Sequence, residues 1–266
     1  MTSYIYLSDI HANYEALKYL KNLPEFTNPS CEFRFGGDYI DGYDLQPKAT
    51  NNTIRFIKEL CDSGKSKAIV GNHDQFIIDQ AYYPYRTNWW YMNGREQTLD
   101  NLGIPYANEE NLRELLLYYY YDELEWLKSL PFYTIDGNNI MVHAGFELDM
   151  PLEQQNSNTM LWTREAYIES TNYLTDVDLH PDFKNKTIIT GHTPTKSISL
   201  DGVVNQDCTI LKDEMKHNGS TIMNRYFIDG GSKSGLESGR INLLKLDQNG
   251  SKLLSGYLDQ KGVHYY

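Results

Sequence analysis

The sequence contains few cysteines, no long apolar run and no basic leader. Its cysteines lie far apart and form no Cys-x-x-Cys pair, so we expect small buried side chains rather than disulfides or metal ligands at Cys31, Cys61 and Cys208. No apolar run approaches the ~18 residues that a membrane helix needs. The opening segment MTSYIYLSDI does not look like a signal peptide, and these absences together predict an unprocessed chain in the reducing cytoplasm.

Basic residues are also scarce relative to acidic ones. Lys and Arg total 24 against 36 Asp and Glu, which gives a net charge of −12. The average surface potential therefore repels nucleic acids and anionic membranes, and we expect neither as a partner. A phosphate ligand would need a local cation.

The chain is long enough, at 266 residues, to bury a sizeable core. We find no fixed-period repeat, no low-complexity tract and no Pro/Ser linker, so we predict a single domain over 1–266. Aromatic residues are concentrated between the predicted third strand and the middle of the chain. We interpret this stretch as a tyrosine- and tryptophan-rich helical insertion at about 82–130, in which 109–130 forms one long helix that ends at Pro131.

Three strand-loop-helix units occupy the first part of the sequence. Short β-prone runs at 4–7, 33–35 and 68–70 are each followed by a polar loop and then by residues at helical spacing. The second half is richer in strands, which we predict at 139–143, 187–190, 225–228 and 241–246. The pattern predicts an α/β fold with polar loops at the carboxyl ends of the strands, where α/β sheets bind ligands.

Those loops carry most of the residues that point to chemistry. Taken singly, each has an ordinary structural explanation, because Asp and Asn serve turns and helix N-caps and an isolated His is often a satisfied core residue. Their joint placement favours a site for two divalent ions, which needs oxygen and imidazole ligands from several strands and a carboxylate that bridges the ions. The residues are Asp9, His11, Asp38, Asp41, Asn72, His73, His143 and His192.

The successive motifs SDIH, GDYID, GNHD, VHAG and GHTP resemble those of calcineurin-like metallophosphoesterases. The closest resemblance is to the bacterial and phage serine/threonine phosphoprotein phosphatase branch, near the symmetrical dinucleoside tetraphosphatases. WWYMNG, LWTR and the late segment IDGGSKSG are similar to further segments of that branch. The resemblance implies a four-layer αββα sandwich of two mixed β-sheets flanked by helices, whereas the spacing alone indicates only α/β.

The resemblance also implies roles for single residues. It makes Asp9 and His11 ligands of one metal, Asp38 the bridging carboxylate, and Asn72, His143 and His192 ligands of the other metal. The implied cofactors are two divalent ions, and the implied nucleophile is a metal-bound hydroxide. Oxygen and nitrogen ligands without a thiolate favour Mn²⁺, with Fe or Zn as alternatives.

His73 and Asp41 take supporting roles in this scheme. His73 resembles the general acid that protonates the leaving oxygen, and Asp41 resembles the carboxylate that fixes the tautomer of that histidine. Asp74 either supports the site or shapes a turn.

One position departs from the family pattern. Relatives usually have a phosphate-binding Arg directly after the second Asp of GDYID, where this sequence has Gly42. Arg164 matches a second phosphate-binding Arg, and Arg95 is either a compensating guanidinium or a solvated surface residue. The aromatic residues 89–91 are either core or a stacking face above the site.

We therefore expect a metal-dependent phosphatase that hydrolyses phosphomonoesters. The substrate would be a phosphorylated protein, through phosphoserine or phosphothreonine, or a small phosphoester. Two alternatives stay open: a symmetrical dinucleoside tetraphosphate hydrolase and a metal-binding interaction protein without turnover, the latter suggested by Gly42.

Overall fold

Two large β-sheets lie face to face in the computed structural model, which describes residues 2–43, 45–83, 89–105, 107–200, 203–235 and 239–266. The strands are β1 (Ser3–Leu7), β2 (Cys31–Phe35), β3 (Ser66–Ala68), β4 (Tyr133–Asp136), β5 (Asn139–Val142), β6 (Lys186–Thr190), β7 (Ser199–Leu200), β8 (Val203–Val204), β9 (Leu211–His217), β10 (Ser220–Phe227), β11 (Ile241–Asp247), β12 (Lys252–Asp259) and β13 (Gly262–Tyr265).

Helices separate many of these strands. The α-helices are α1 (Tyr14–Leu17), α2 (Pro24–Thr27), α3 (Ala49–Asp62), α4 (Asn72–Tyr82), α5 (Arg95–Leu102), α6 (Glu109–Tyr119), α7 (Tyr121–Ser129), α8 (Ser157–Trp162) and α9 (Glu165–Ile168). Short 3₁₀ helices cover Lys18–Asn22, Trp89–Met92, Leu152–Gln154, Glu169–Asn172, Pro181–Phe183, Thr195–Ser197 and Ser232–Ser234.

Both large sheets are mixed. The first has the order β13-β12-β11-β1-β2-β3, in which β1, β2 and β3 run parallel and the other pairs are antiparallel. The second has the order β4-β5-β6-β10-β9, in which β5, β6 and β10 run parallel. Parallel strands end at the same edge of their sheet, so the loops after them project from one side.

The side chains between the sheets show how the layers form. Successive residues of a strand point to opposite faces. Accordingly, Tyr6 packs between the sheets, while Ile5 and Leu7 pack under the helices α3 to α7. The cluster between the sheets consists of Tyr6, Ile69, Met141, Ile189, Tyr226, Ile228, Leu244 and Leu246. A separate cluster joins the outer face of the second sheet to α8 and α9. The predicted four-layer αββα sandwich of two mixed sheets is therefore confirmed.

The prediction of one long helix over 109–130 is wrong. The helix breaks at Tyr120, where φ is −131° and ψ is 26°, so α6 and α7 are separate. The hydroxyl of Tyr120 donates to the carbonyl of Leu102 at 2.5 Å, and its ring packs against the core. A straight helix would not present this tyrosine to the core together with the leucines on the buried faces of α6 and α7.

The predicted helical insertion at 82–130 contains α5, α6 and α7, although residues 84–88 and 106 of this stretch lie outside the described residues. Buried leucines of these helices belong to the same core cluster as Phe33 and Phe35 of β2. No helix in the described part of the chain is both long and apolar enough to cross a membrane.

The layer between the sheets predicts a contrast between two leucines. Leu244 of β11 is fully buried, whereas Leu253 of β12 is 54% exposed. Leu244→Ala should lower the free energy of unfolding by about 2–5 kcal/mol, because it leaves a cavity between the sheets. Leu253→Ala should change it by less than about 0.5 kcal/mol. Urea denaturation of the two variants tests this, and equal losses would contradict the assigned packing.

Candidate metal centre

The polar residues expected in the loops come together where the strands of both sheets end. Asp9 and His11 follow β1, Asp38 follows β2, and His143 and His192 follow β5 and β6. Asn72 and His73 open α4, after β3. All six residues predicted as metal ligands are buried, with exposed fractions of at most 5%.

One group of ligand atoms is formed by Asp9, His11 and Asp38. Their oxygen and nitrogen atoms all lie within 4.8 Å of one another. Nδ1 of His11 lies 2.8 Å from the carbonyl oxygen of Ile40, so it carries the proton and donates it. The unprotonated Nε2 then faces Oδ2 of Asp38 at 3.6 Å.

A second group forms on the other side of the same carboxylate. Asp38, His143 and His192 again offer atoms within 4.8 Å of one another. Nε2 of His143 lies 3.4 Å from Oδ1 of Asp38 and 2.8 Å from Oδ1 of Asn72. Nδ1 of His192 lies 2.9 Å from the same amide oxygen. One oxygen of Asp38 therefore faces each group.

The protonation of these groups shows that the second group fits a cation. Nδ1 of His143 donates to the carbonyl of Gly36 at 2.8 Å, which leaves a lone pair on Nε2 opposite the oxygen of Asn72. Two acceptors at this distance repel each other, and a cation between them removes the repulsion. Burial lowers the pKa of both His143 and His192, so a second proton on either imidazole is disfavoured. A metal ion satisfies both atoms, and imidazole with oxygen is a donor set suited to Mn, Fe or Zn.

The pKa values of Asp38 and Asp9 also favour a bound cation. Burial raises the pKa of Asp38 to about 8 and that of Asp9 to about 6. Burying an ionised carboxylate without a partner is costly, and a divalent ion removes that cost. The ionised form of both carboxylates therefore gains from a bound cation.

The backbone around the site is strained. Residues other than glycine rarely have positive φ, yet φ is 53° at Asp9, 47° at His11, 56° at Asp38 and 65° at His192. Such strain persists where surrounding contacts enforce it, and it clusters at functional sites.

Two contacts hold these loops in place. The carboxylate of Asp74 accepts hydrogen bonds from the backbone N–H groups of Asp38, Tyr39 and Gly71 at 2.8 to 2.9 Å. A Cβ at Gly191 would lie 2.0 Å from Oδ2 of Asp9, so only glycine permits this approach. Asp74 thus supports the loop of the shared carboxylate.

His73 lies beside the ligands and pairs with Asp41. Its Nδ1 donates to Oδ2 of Asp41 at 2.6 Å. The carboxylate also accepts from the indole N–H of Trp90 at 2.8 Å and from the hydroxyl of Thr98 at 2.6 Å. Burial raises the pKa of Asp41 to about 7. Burial, followed by the charge of Lys233, lowers the pKa of His73. The pair has the orientation expected of a histidine that exchanges a proton through Nε2.

The two predicted phosphate-binding arginines differ in position. Arg164 donates to the carbonyl of His192 and to the hydroxyl of Thr193, both at 3.0 Å, which places it at the edge of the second group. Arg95 contacts the carboxylates of Glu96 and Glu109, each at 3.0 Å. The proposed role of Arg95 stays a prediction.

Three contacts of the site were missed in the sequence. Lys233 donates to Nε2 of His73 at 3.0 Å, whereas the motif IDGGSKSG as a segment predicts no role for this lysine. Trp90 is fully buried against Asp41 and is not a stacking face, and the role of Thr98 carried no sequence signal. Of these three residues, only Lys233 had a sequence signal, because it is a cation in a glycine-rich loop after a predicted strand.

The sequence profile of the calcineurin-like phosphoesterase family matches residues 3–213. A symmetrical bis(5'-nucleosyl)-tetraphosphatase of Nitrosospira multiformis is 26% identical over 149 residues, which is 56% of this chain and 45% of that protein. The matched region therefore spans less than half the length of that relative.

Solved structures are similar over nearly the whole chain. One, provisionally described as a diadenosine tetraphosphatase, is 16% identical and has a TM-score of 0.57, with 96% of this chain and 92% of that chain covered. A metallophosphoesterase from Sphaerobacter thermophilus is 13% identical and has a TM-score of 0.53, with 100% and 88% covered. These likenesses support the fold.

The shared carboxylate predicts a metal-dependent gain in stability. Mn²⁺ at about 100 times its Kd should stabilise the wild-type protein by about 2.7 kcal/mol, measured as a rise in Tm. At a fixed Mn²⁺ concentration, the gain should be larger at pH 8 than at pH 6, because the metal must displace protons from Asp38 and Asp9, whose pKa values are about 8 and about 6.

Two substitutions complete this test. Asp38→Asn should lose most of the gain, whereas Asp62→Asn, at a side chain that is 59% exposed, should keep it. An undiminished rise in Tm for Asp38→Asn would show that Mn²⁺ binds elsewhere.

Proposed function

The chain belongs to the calcineurin-like phosphoesterase family, and from that membership we propose that it hydrolyses phosphomonoesters with the help of two divalent metal ions. The proposal rests on one arrangement: unprotonated ligand atoms face each other on both sides of Asp38, and the His73–Asp41 pair lies beside them. A site of this kind binds a phosphate and supplies a proton.

The residues divide into two sets of ligands. Asp9 and His11 would hold one ion, Asn72, His143 and His192 the other, and Asp38 both. When bound, two divalent ions activate water as a nucleophile and neutralise the charge of the phosphate. We propose Mn²⁺, because the ligands are oxygen and nitrogen without a thiolate.

The chain itself acts at the leaving oxygen. As the oxygen of water bonds to phosphorus, the bond from phosphorus to the leaving oxygen breaks, and this oxygen takes the proton from Nε2 of His73. One proton of the water stays on the phosphate and the other restores His73. Asp41 accepts the hydrogen bond of Nδ1 and so favours the charged imidazole, whereas burial lowers the pKa of His73.

The need for a proton at the leaving oxygen favours one class of substrate. An alcohol such as the side chain of serine or threonine leaves poorly as an alkoxide, so a general acid accelerates its departure. A nucleotide phosphate is a better leaving group and needs the proton less. The buried contacts of Trp90 and Thr98 with Asp41 hold the acid in place, and we therefore propose phosphoserine or phosphothreonine in proteins as the substrate.

Symmetrical hydrolysis of dinucleoside tetraphosphates is the second candidate. It is supported by the activity in the name of the Nitrosospira multiformis relative and by an exposed aromatic pair on the Trp89–Met92 helix. The rings of Trp89 and Tyr91 are 54% and 56% exposed and stack with their centroids 6.4 Å apart. Trp90 between them contacts Asp41, so the pair lies on the turn next to the site and offers a base a stacking surface.

A substitution of the general acid tests the chemistry. His73→Asn should lower kcat for phenyl phosphate, which has a poor leaving group, by about 10²–10⁴-fold. The loss should be smaller for p-nitrophenyl phosphate, whose phenolate leaves without a proton. The variant should still bind Mn²⁺. His217→Asn, at an exposed histidine, is the matched control and should have wild-type kcat. Equal losses on both esters would contradict the role of His73 as an acid.

A substrate comparison separates the two candidates. We expect a higher kcat/KM for a phosphothreonine peptide than for diadenosine tetraphosphate. Trp89→Ala should leave the peptide reaction unchanged, since no contact with the phosphate is assigned to it. A higher kcat/KM for diadenosine tetraphosphate, reduced about tenfold by Trp89→Ala, would favour the second candidate instead.

A further inference from the structure

Lys233, from the C-terminal part of the chain, contacts His73 at the candidate metal centre. Lys233 lies in the 3₁₀ helix Ser232–Ser234, and its ammonium donates to Nε2 of His73 at 3.0 Å. This nitrogen is the atom from which His73 would give its proton. The ammonium therefore lies where the phosphate and its leaving oxygen must be during the reaction.

The backbone of this loop is fixed against the first ligand loop. The hydroxyl of Ser232 donates to the carbonyl of Ile10 at 3.0 Å and accepts from the amide of Asn13 at 3.1 Å. The N–H of Gly231 donates to Oδ1 of Asp229 at 2.8 Å. These contacts tie the lysine to the loop that carries Asp9 and His11, so its position is built into the fold.

The charges around the ammonium are mixed. Burial is the largest influence on the pKa of Lys233 and lowers it, Asp38, Asp41 and Asp229 act to raise it, and Arg164 lowers it. Two cations that repel each other gain when an anion binds to both. Binding of a phosphate would thus relieve the repulsion between Lys233 and Arg164.

The ammonium of Lys233 can donate more hydrogen bonds than the one to His73. An ammonium donates three hydrogen bonds, and among the described residues its only hydrogen-bond partner is Nε2 of His73. The leaving oxygen of a substrate must approach the same Nε2, so Lys233 gives up this contact when the substrate binds, and the phosphate offers it oxygen acceptors.

The loop that contains Gly42 cannot supply a phosphate-binding cation. A Cβ at Gly42 would lie 2.0 Å from the carbonyl oxygen of His11, so position 42 cannot carry a side chain without moving the backbone. Arg95 contacts Glu96 and Glu109 instead.

We propose that Lys233 is a phosphate-binding residue of this site, which exchanges its hydrogen bond with His73 for one or two hydrogen bonds with the phosphate of the substrate. This inference rests on the proposed function and adds a residue to it. Arg164, at the edge of the second group of ligand atoms, would be a second cation for the same phosphate.

Binding of inorganic phosphate tests this inference without turnover. Calorimetric titration of the Mn²⁺-loaded wild-type protein with phosphate gives the reference Kd. Lys233→Met should raise this Kd by about tenfold to a hundredfold, because a hydrogen bond between two charged groups is lost. Lys233→Arg should recover most of the affinity. Lys252→Met, at an exposed lysine of β12, is the matched control and should bind phosphate like the wild type.

Kinetics and metal content distinguish an error in the role of Lys233 from an error in the proposed function. In Lys233→Met the KM for p-nitrophenyl phosphate should rise by a similar factor, and the Mn²⁺ content should equal that of the wild type. An unchanged phosphate Kd in Lys233→Met and Lys233→Arg would overturn the role of Lys233, whether or not the wild type is active, and so would a wild type that binds no phosphate. An inactive wild type that binds phosphate through Lys233 would overturn the proposed function alone.

Discussion

Buried negative charge at the ends of the strands is the constraint on which the rest of this structure depends. Five aspartates are buried there, and burial raises the pKa of each: Asp9, Asp38, Asp41, Asp74 and Asp229. Asp74 is satisfied by backbone N–H groups and Asp41 by side-chain donors. Asp38 accepts a hydrogen bond from the backbone N–H of His73 at 2.9 Å, but each of its oxygens also faces an imidazole nitrogen of a ligand group. Divalent ions are the charges that complete it.

The sandwich explains how such a cluster can exist. Parallel strands in both sheets deliver their loops to one side, and the layer around Tyr6 and Leu244 keeps the sheets in register. Positive φ at four ligands and the close approach of Gly191 to Asp9 show that the loops are held in unfavourable conformations. A rigid scaffold can maintain this strain, and it keeps the ligands in place before any ion arrives.

The site residues in the strand-end loops could be predicted from the sequence, because short local motifs place them after recognisable strands. The fold beyond α/β came from the resemblance to a family and not from periodicity. Contacts between distant segments could not be seen in the same way. Trp90 and Thr98 lie 49 and 57 residues from Asp41, and Lys233 lies 160 residues from His73. The break at Tyr120 was missed for the same reason, since it depends on a contact with Leu102.

Anomalous diffraction from crystals grown without chelator tests the central claim most directly. The account predicts two anomalous peaks roughly 3.5–4 Å apart, one on each side of the carboxylate of Asp38. Data collected on both sides of the absorption edges of Mn, Fe and Zn would identify the ions. The account is contradicted if crystals soaked in Mn²⁺ show no peak at Asp38, or if Mn²⁺ binds only at exposed carboxylates away from the six buried ligands.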